Sequence, residues 1–92
     1  MAKLELKNGL TLDGEKVNEI EYDLDSLTGR DIETAIAQLG KKGIIVTMAE
    51  TDQRYQAMLF SIAAGIDYED VNRLSARDFF KATTAVRDFF LE

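Results

Sequence analysis

Four residue types are absent from this 92-residue sequence: cysteine, proline, tryptophan and histidine. Without cysteine, the chain has no disulfide bonds, no thiolate metal sites and no thiol nucleophile. Without histidine, it lacks the commonest metal ligand and the commonest general base. We therefore expect neither a metal nor a cofactor.

Basic residues are scarce relative to acidic ones. The chain carries 11 Lys and Arg against 17 Asp and Glu, which gives a net charge of −6. An acidic balance argues against nucleic acid and against an anionic membrane as the main partner. No apolar run approaches membrane-spanning length, and the first residues lead into an alternating segment rather than a signal peptide. These features predict a cytoplasmic protein that binds neither nucleic acid nor membrane.

The residues that are present suffice for a packed core. Hydrophobic residues make up 46% of the chain, which excludes wholesale disorder. A length of 92 residues is typical of one compact unit. We therefore expect a single domain that covers residues 1–92.

The first quarter of the sequence has the period-two pattern of β-strands. One parity is apolar in both segments, with Leu4, Leu6, Leu10 and Leu12 in the first and Ile20, Tyr22 and Leu24 in the second. Between them, Asp13-Gly14 predicts a hairpin turn that brings Leu12 opposite Val17. Val17 is out of phase with Ile20, which predicts a bulge near Asn18. Asn8-Gly9 is a second turn signal, and as an alternative it would split the first strand and create a third.

After Leu27 the pattern changes to that of helices, and we expect three to four of them. Thr28 and Asp31 form a capping pattern, and Gly40 is the predicted end of the first helix. Residues 44–46 form either a short extra strand or a loop. The second helix begins with Thr47 and Glu50 or with Thr51, and it ends near Gly65. Asp67 begins a single turn, and Ser75 with Asp78 begins the last helix.

The fold class that follows is α+β. We expect an N-terminal β-hairpin, whose leucine face packs on the helices, with the C-terminal helix at the centre. The apolar face of the first helix is predicted to consist of Ile32, Ala35, Ile36 and Leu39.

Asp25-Ser26-Leu27 raises the question of a cofactor attachment site, because acyl carrier proteins carry phosphopantetheine on the serine of such a triplet. A carrier domain needs a long amphipathic helix before that serine. Here the 25 residues that precede Ser26 have strand periodicity and two turn signals. A serine in a strand-to-helix connection is explained by local hydrogen bonding to the backbone. We therefore interpret Ser26 as structural.

Other catalytic arrangements are equally weakly indicated. Ser, Thr, Tyr, Lys and carboxylates are present, but no imidazole or thiol could activate them. Asp67, Glu69 and Asp70 lack the glycine and the ligand spacing of a calcium loop. These observations favour a protein that is not an enzyme.

The C-terminal helix carries most of the aromatic residues. At about 100° per residue, one stripe contains Phe79, Thr83, Val86 and Phe90, and we assign Phe90 to the core. Phe80 falls on one side of this stripe and Phe89 on the other. Phe89 and Leu91 point in different directions in the final turn, so we expect at least one of them in an interface. The candidate partner-binding residues are Phe80, Phe89, Phe90 and Leu91.

The order of these segments resembles the small tail assembly chaperones of tailed phages and prophages. The resemblance runs from Leu10 to Leu91. It rests on the Asp-Gly hairpin, "SLTGRD", the helix ending "AAGI" and the ending "RLSARDFFKATTAVRDFFL". Segment "GIIVTM" is more apolar than the corresponding connector of that family.

This resemblance implies a binding protein that acts in the bacterial host cytoplasm. It would bind the tape measure protein, keep it soluble and help to recruit tail tube subunits, and it would correspond to the short form of two gene products. Self-association is a further expectation. Two alternatives remain: an acyl-carrier-like protein modified at Ser26, and a small acidic regulatory or DNA-mimic protein.

Overall fold

The computed structural model describes residues 2–91, with the exception of the side chain of residue 50. Two strands come first, followed by four helices and a single 3₁₀ turn at Ala49–Thr51. Their bounds are β1 Ala2–Leu12, β2 Glu15–Tyr22, α1 Gly29–Lys41, α2 Gln53–Ala64, α3 Tyr68–Asn72 and α4 Ala76–Leu91. The α+β class and the N-terminal hairpin are thereby confirmed.

The two strands are antiparallel and are joined by a two-residue turn. Asp13 and Gly14 both have positive φ, 51° and 83°, which is the conformation of a type I′ turn. Leu12 pairs with Glu15, and Leu10 pairs with Val17. The predicted pairing of Leu12 with Val17 is wrong, because the turn contains two residues rather than four.

The register of the hairpin changes halfway along it. Glu5 pairs with Glu19, whereas the next pair towards the turn joins Leu10 to Val17. The residues 6–9 of β1 therefore lie opposite Asn18 alone. The bulge lies opposite Asn18, the position at which the sequence predicted it, but its extra residues belong to β1 rather than to β2. The Asn8-Gly9 signal produces this bulge, and no third strand forms within residues 2–91.

Helix α1 begins as predicted and ends later than predicted. The Asp31 carboxylate accepts a hydrogen bond from the Thr28 backbone N–H at 2.9 Å, which satisfies a donor at the helix start. At the other end, the helix passes through Gly40 and turns at Gly43, whose φ is +79°. The Ile44 N–H then donates to the Leu39 carbonyl at 2.9 Å. Gly43 is thus the glycine that ends the helix.

The start of α2 also differs from the prediction. Asp52 precedes the helix, and its carboxylate accepts from the Arg54 backbone N–H at 2.8 Å. Neither Thr47 nor Thr51 is the cap, and the side chain of Glu50, the second member of the Thr47 pattern, lies outside the described residues. Residues 44–46 form a loop in which Ile45 is 79% exposed, while its two neighbours pack partly on the core.

The remaining helix boundaries agree with the sequence. Gly65, with φ +72°, ends α2, and Asp67 precedes α3. The Ser75 hydroxyl accepts a hydrogen bond from the Asp78 N–H at 3.2 Å at the start of α4.

The core lies between the hairpin and the helices, with α2 at its centre. Leu4, Leu6 and Leu10 are buried against the helical layer as predicted, and Leu12 is half-buried. Residues 55–61 of α2 are all buried, and α2 packs against α1, α3, α4 and β2. Helix α4 packs mainly against α2 and β1. The prediction that the C-terminal helix is central is therefore wrong.

Candidate partner-binding surface

The four candidate residues of α4 differ widely in exposure. Phe80 is 59% exposed, Phe90 49% and Leu91 71%, whereas Phe89 is half-buried. The assignment of Phe90 to the core is wrong. Phe90 lies in the last turn of α4, where it borders an open groove and meets the Phe89 ring edge to face at 5.0 Å. Three large apolar side chains of this helix are thus accessible.

Phe89 has a different environment from the other three. It borders a depression that is lined by Ala2 at the start of β1, by Tyr22 at the end of β2 and by residues 23–25 after that strand. Its partial burial against core residues gives it a packing role. Phe89 is therefore the least accessible of the four candidate residues.

A largely apolar groove of about 170 Å³ lies beside the end of α4. Its walls come from α1, the 3₁₀ turn, the first turn of α2 and the last two turns of α4. The lining residues are Ile32, Ala49, Tyr55, Gln56, Val86, Arg87, Phe90 and Leu91. Ile36, one turn beyond Ile32 on α1, is 46% exposed and extends the apolar surface, although the sequence predicted it on the buried face.

This groove continues along α4 through two further depressions. Gln56 and Arg87 line both the groove and the second depression, which also contains Phe80 and Thr84. Phe80 and Thr84 in turn line the third depression, with Leu4, Arg77, Lys81, Ala85 and Asp88. The first two depressions lie on the α1 and α2 side of the exposed stripe of α4, and the third lies on its β1 side. We call this stripe, together with the three depressions that flank it, the α4 furrow.

Helix geometry explains why the furrow follows α4. Phe80 and Leu91 are eleven residues apart, which places them within about 20° of each other around the helix and about 16 Å apart along it. Thr84 and Arg87 occupy the same stripe between them. The spacing i, i+4, i+7, i+11 produces one continuous exposed face with an apolar side chain at each end.

The charge of the furrow is opposite in sign to that of the whole chain. Among the described lining residues, the charged ones are Arg77, Lys81, Arg87 and Asp88, three basic against one acidic. Arg87 pairs with its neighbour Asp88 at 3.3 Å, and both side chains are at least half exposed. Such exposed pairs contribute little and are easily exchanged. A chain with net charge −6 thus presents a locally basic and apolar face.

Asp78 positions α4 against the hairpin. Its carboxylate is fully buried and accepts hydrogen bonds from the backbone N–H groups of Lys7, at 2.7 Å, and Asn8, at 3.0 Å. Burial acts to raise the pKa of this carboxyl group, but the N–H donors of Asn8 and Lys7 outweigh it and hold the pKa below its ordinary value of 3.8. The bulge in β1 presents these donors, and its two hydrogen bonds to Asp78 therefore hold the first turn of α4 against the hairpin.

Two further contacts attach the helices to the outer edge of β1. Lys81 Nζ donates to the Glu5 carbonyl, and Arg73 donates to the Thr11 carbonyl at 2.8 Å. Together with the two bonds to Asp78, they join the β1 backbone to the helical part of the chain at Glu5, Lys7, Asn8 and Thr11.

Ser26 lies in an exposed turn between β2 and α1. Its hydroxyl donates to the Asp23 carbonyl at 2.9 Å, a local bond within the connection. The elements before it are two strands, as the sequence indicated, and not a helix. The structure therefore gives Ser26 a local role in the turn.

Other kinds of site have no counterpart among the described residues. Within the described residues, no group of three or more Asp and Glu side chains is arranged to hold a metal ion. None of the helices described between residues 2 and 91 combines the length and apolarity needed to cross a bilayer. Comparison with protein-family models, curated proteins and solved structures gave no match. The resemblance to tail assembly chaperones accordingly remains an expectation based on the sequence.

Sequence reasoning identified the apolar ends of the furrow but missed its charged part. Arg77 and Arg87 were not among the candidate partner-binding residues. Arg77 lies three residues before Phe80 and Arg87 four before Leu91, and these spacings place them on the same face of the helix. The contribution of α1 and the 3₁₀ turn to the groove had no sequence signal, because it depends on how distant segments pack.

Proposed function

We propose that this protein is a tail assembly chaperone of a tailed phage or prophage. In this role it binds the apolar helical tape measure protein in the bacterial cytoplasm, keeps it soluble and helps to recruit tail tube subunits. The α4 furrow is the binding surface, and no catalytic step is involved. The segment order that resembles this chaperone family supplies the identity of the partner.

The observation that carries this proposal is the exposed face of α4, with Phe80 at one end and Phe90 and Leu91 at the other. Phe90, Leu91 and the largely apolar groove beside them form an exposed apolar patch, and such a patch marks an interaction site, whereas single exposed apolar residues do not. Amphipathic helices bind such grooves through apolar residues spaced three, four and seven apart. A furrow about three helical turns long suits that mode of binding.

The net negative charge is consistent with a role in preventing aggregation. Each bound copy adds acidic surface to the partner, and like charges keep the complexes dispersed. Exposed acids outside the furrow lie on the hairpin and on the segment after β2, at Asp13, Glu15, Glu19, Glu21 and Asp25. The furrow itself remains basic and apolar, so a bound helix leaves the acidic surface free.

The two alternatives are less well supported. A carrier function needs a helix before Ser26, and that segment is a hairpin. A DNA mimic needs phosphate-like charges arranged along its surface, but the exposed charges of α4 are mainly basic. Neither alternative explains an exposed apolar furrow.

Coexpression with the partner tests the proposal. The tape measure gene is expected directly downstream of this one, with the tail tube gene upstream. We expect wild-type protein to keep tape measure fragments soluble and to copurify with them. The Phe80→Ser, Leu91→Ser double variant should lose both effects. Phe89 is left unchanged because its partial burial would confound binding with folding.

A matched control distinguishes binding at the furrow from non-specific binding through any exposed apolar side chain. Ile45→Ser removes an apolar side chain that is even more exposed than Phe80 and Leu91 and does not line the furrow. It should solubilise the tape measure fragments as well as wild type does. A double variant that melts like wild type and still solubilises the fragments would place the binding surface elsewhere.

A further inference from the structure

The charges of the furrow identify the chemistry of the helix that it accepts. We infer that the α4 furrow selects an acidic amphipathic helix, with apolar residues at both ends of a three-turn segment and a carboxylate between them. This inference rests on the proposed function and specifies the partner more narrowly.

The position of Arg87 sets the pattern. It lies four residues before Leu91 and seven after Phe80, on the same exposed stripe. A partner helix that lies along the furrow has one apolar residue against Phe80 and another against Leu91. The partner residue beside Arg87 then lies about one-third of the way from the Leu91 contact to the Phe80 contact. A carboxylate there would form an ion pair, whereas a lysine would be repelled.

The availability of the basic groups supports this assignment. Arg77 is exposed and forms no ion pair with a described residue. Among the ion pairs of the described residues, Arg87 takes part in one, an exposed pair with its sequence neighbour Asp88 at 3.3 Å. Lys81 Nζ donates to a backbone carbonyl and forms no ion pair with a described residue. A partner with acidic side chains can thus engage the furrow without breaking a buried contact.

A second copy of this chain fits the furrow less well. Its most acidic surface is near the hairpin turn, where Asp13, Glu15 and Glu19 are exposed. That region offers no large exposed apolar side chain within the described residues to contact Phe80 and Leu91. Charge complementarity and apolar complementarity are met together by an acidic amphipathic helix.

Two designed helical peptides test the inference. They share leucines at positions 1 and 12 of the contact segment, and they carry either glutamates or lysines at positions 5 and 8. Binding to the intact protein is measured by fluorescence anisotropy at low and high salt. We expect the acidic peptide to bind about tenfold more tightly at low salt, because each exposed ion pair contributes a few-fold. Added salt should reduce this difference.

Variants then separate the charge effect from the apolar effect. Arg87→Glu, on an exposed position, should shift the preference towards the basic peptide. Phe80→Ser should weaken both peptides, and Ile45→Ser should weaken neither. Thermal melts confirm that each variant is folded, and Arg87→Ala serves as the milder charge variant if Arg87→Glu melts early.

The possible failures are distinguishable. Equal, Phe80-dependent binding of both peptides would overturn the charge preference and leave the chaperone proposal standing. Binding of neither peptide, or binding that Phe80→Ser does not change, would overturn both. Sedimentation that shows a dimer lost in Phe80→Ser, with no peptide binding, would instead assign the furrow to a second copy of this chain.

Discussion

Helices α2 and α4 are both rich in apolar residues, yet they occupy opposite kinds of position. Residues 55–61 of α2 are all buried, and they include two aromatic rings, Tyr55 and Phe60. Helix α4 carries four phenylalanines, but its buried residues are Asp78, Ala82, Thr83 and Val86. The more aromatic helix is therefore the more exposed one.

The difference has a physical cause. Helix α2 lies between α1, α3, α4 and β2, so that even its large side chains, such as Phe60 and Met58, are covered. Helix α4 packs mainly against α2 and β1 and has an open face. Phe79 and Phe89 pack partly on the core, whereas Phe80 and Phe90 are exposed, which is typical of a binding surface.

The largest expected effect is on stability at the centre of α2. Phe60→Ala removes a fully buried ring that lies 5.0 Å from the Tyr22 ring, and should lower the free energy of unfolding by about 3–5 kcal/mol. Chemical denaturation at neutral pH measures this loss. Phe79→Ala, on half-buried α4 surface, should cost less. If Phe79→Ala proved the more damaging change, α4 rather than α2 would be the central helix.

A second prediction concerns the attachment of α4 to the hairpin. Asp78→Ala leaves the backbone N–H groups of Lys7 and Asn8 without their acceptor, and should cost about 2–4 kcal/mol. Asp88→Ala, at an exposed position of the same helix, is the control and should change stability by less than about 0.5 kcal/mol. Similar losses in the two variants would show that the Asp78 contacts do not hold the helix.

The same carboxylate predicts a pH dependence. Because its pKa is lower in the folded state than its ordinary value of 3.8, its contribution is complete above about pH 5 and declines as the pH falls below 4. The difference in unfolding free energy between wild type and Asp78→Asn should therefore shrink on acidification. Denaturation curves between pH 3 and pH 7 measure it, and a difference that does not vary with pH would contradict this role.

Ser26 lies outside α2 and α4, so its replacement shows how much a local surface hydrogen bond contributes to stability. Removal of its exposed hydroxyl in Ser26→Ala eliminates one hydrogen bond to Asp23, so we expect a loss of about 1 kcal/mol or less. Binding of tape measure fragments should not change. Intact mass after coexpression with a phosphopantetheinyl transferase should show no added group, and a modified Ser26 would revive the carrier hypothesis.

The smallest effect on stability is expected on the open face of α4. Phe80→Ser and Leu91→Ser should each change the free energy of unfolding by no more than about 0.5 kcal/mol, because both side chains are mainly in solvent. Both should reduce the binding of a fluorescent apolar dye. A loss as large as that of Phe60→Ala would mean that these residues are part of the core.

The sequence by itself determined the local features of this protein. The Asp13-Gly14 turn, the cap at Thr28 and the end of α2 at Gly65 follow from backbone preferences of a few neighbouring residues. The period-two and helical patterns likewise predicted the α+β class. Such features involve short stretches of chain, so the residues that specify them can be read directly.

Only the tertiary structure decided which apolar faces are buried. Ile36 and Phe90 lie on stripes that predict core positions, yet both are about half exposed, and Phe90 borders an open groove. Asp78 was predicted to cap α4, whereas its carboxylate binds a bulge some seventy residues earlier in the chain. Periodicity fixes the direction of a side chain around its own helix, but burial depends on distant segments that occupy that direction.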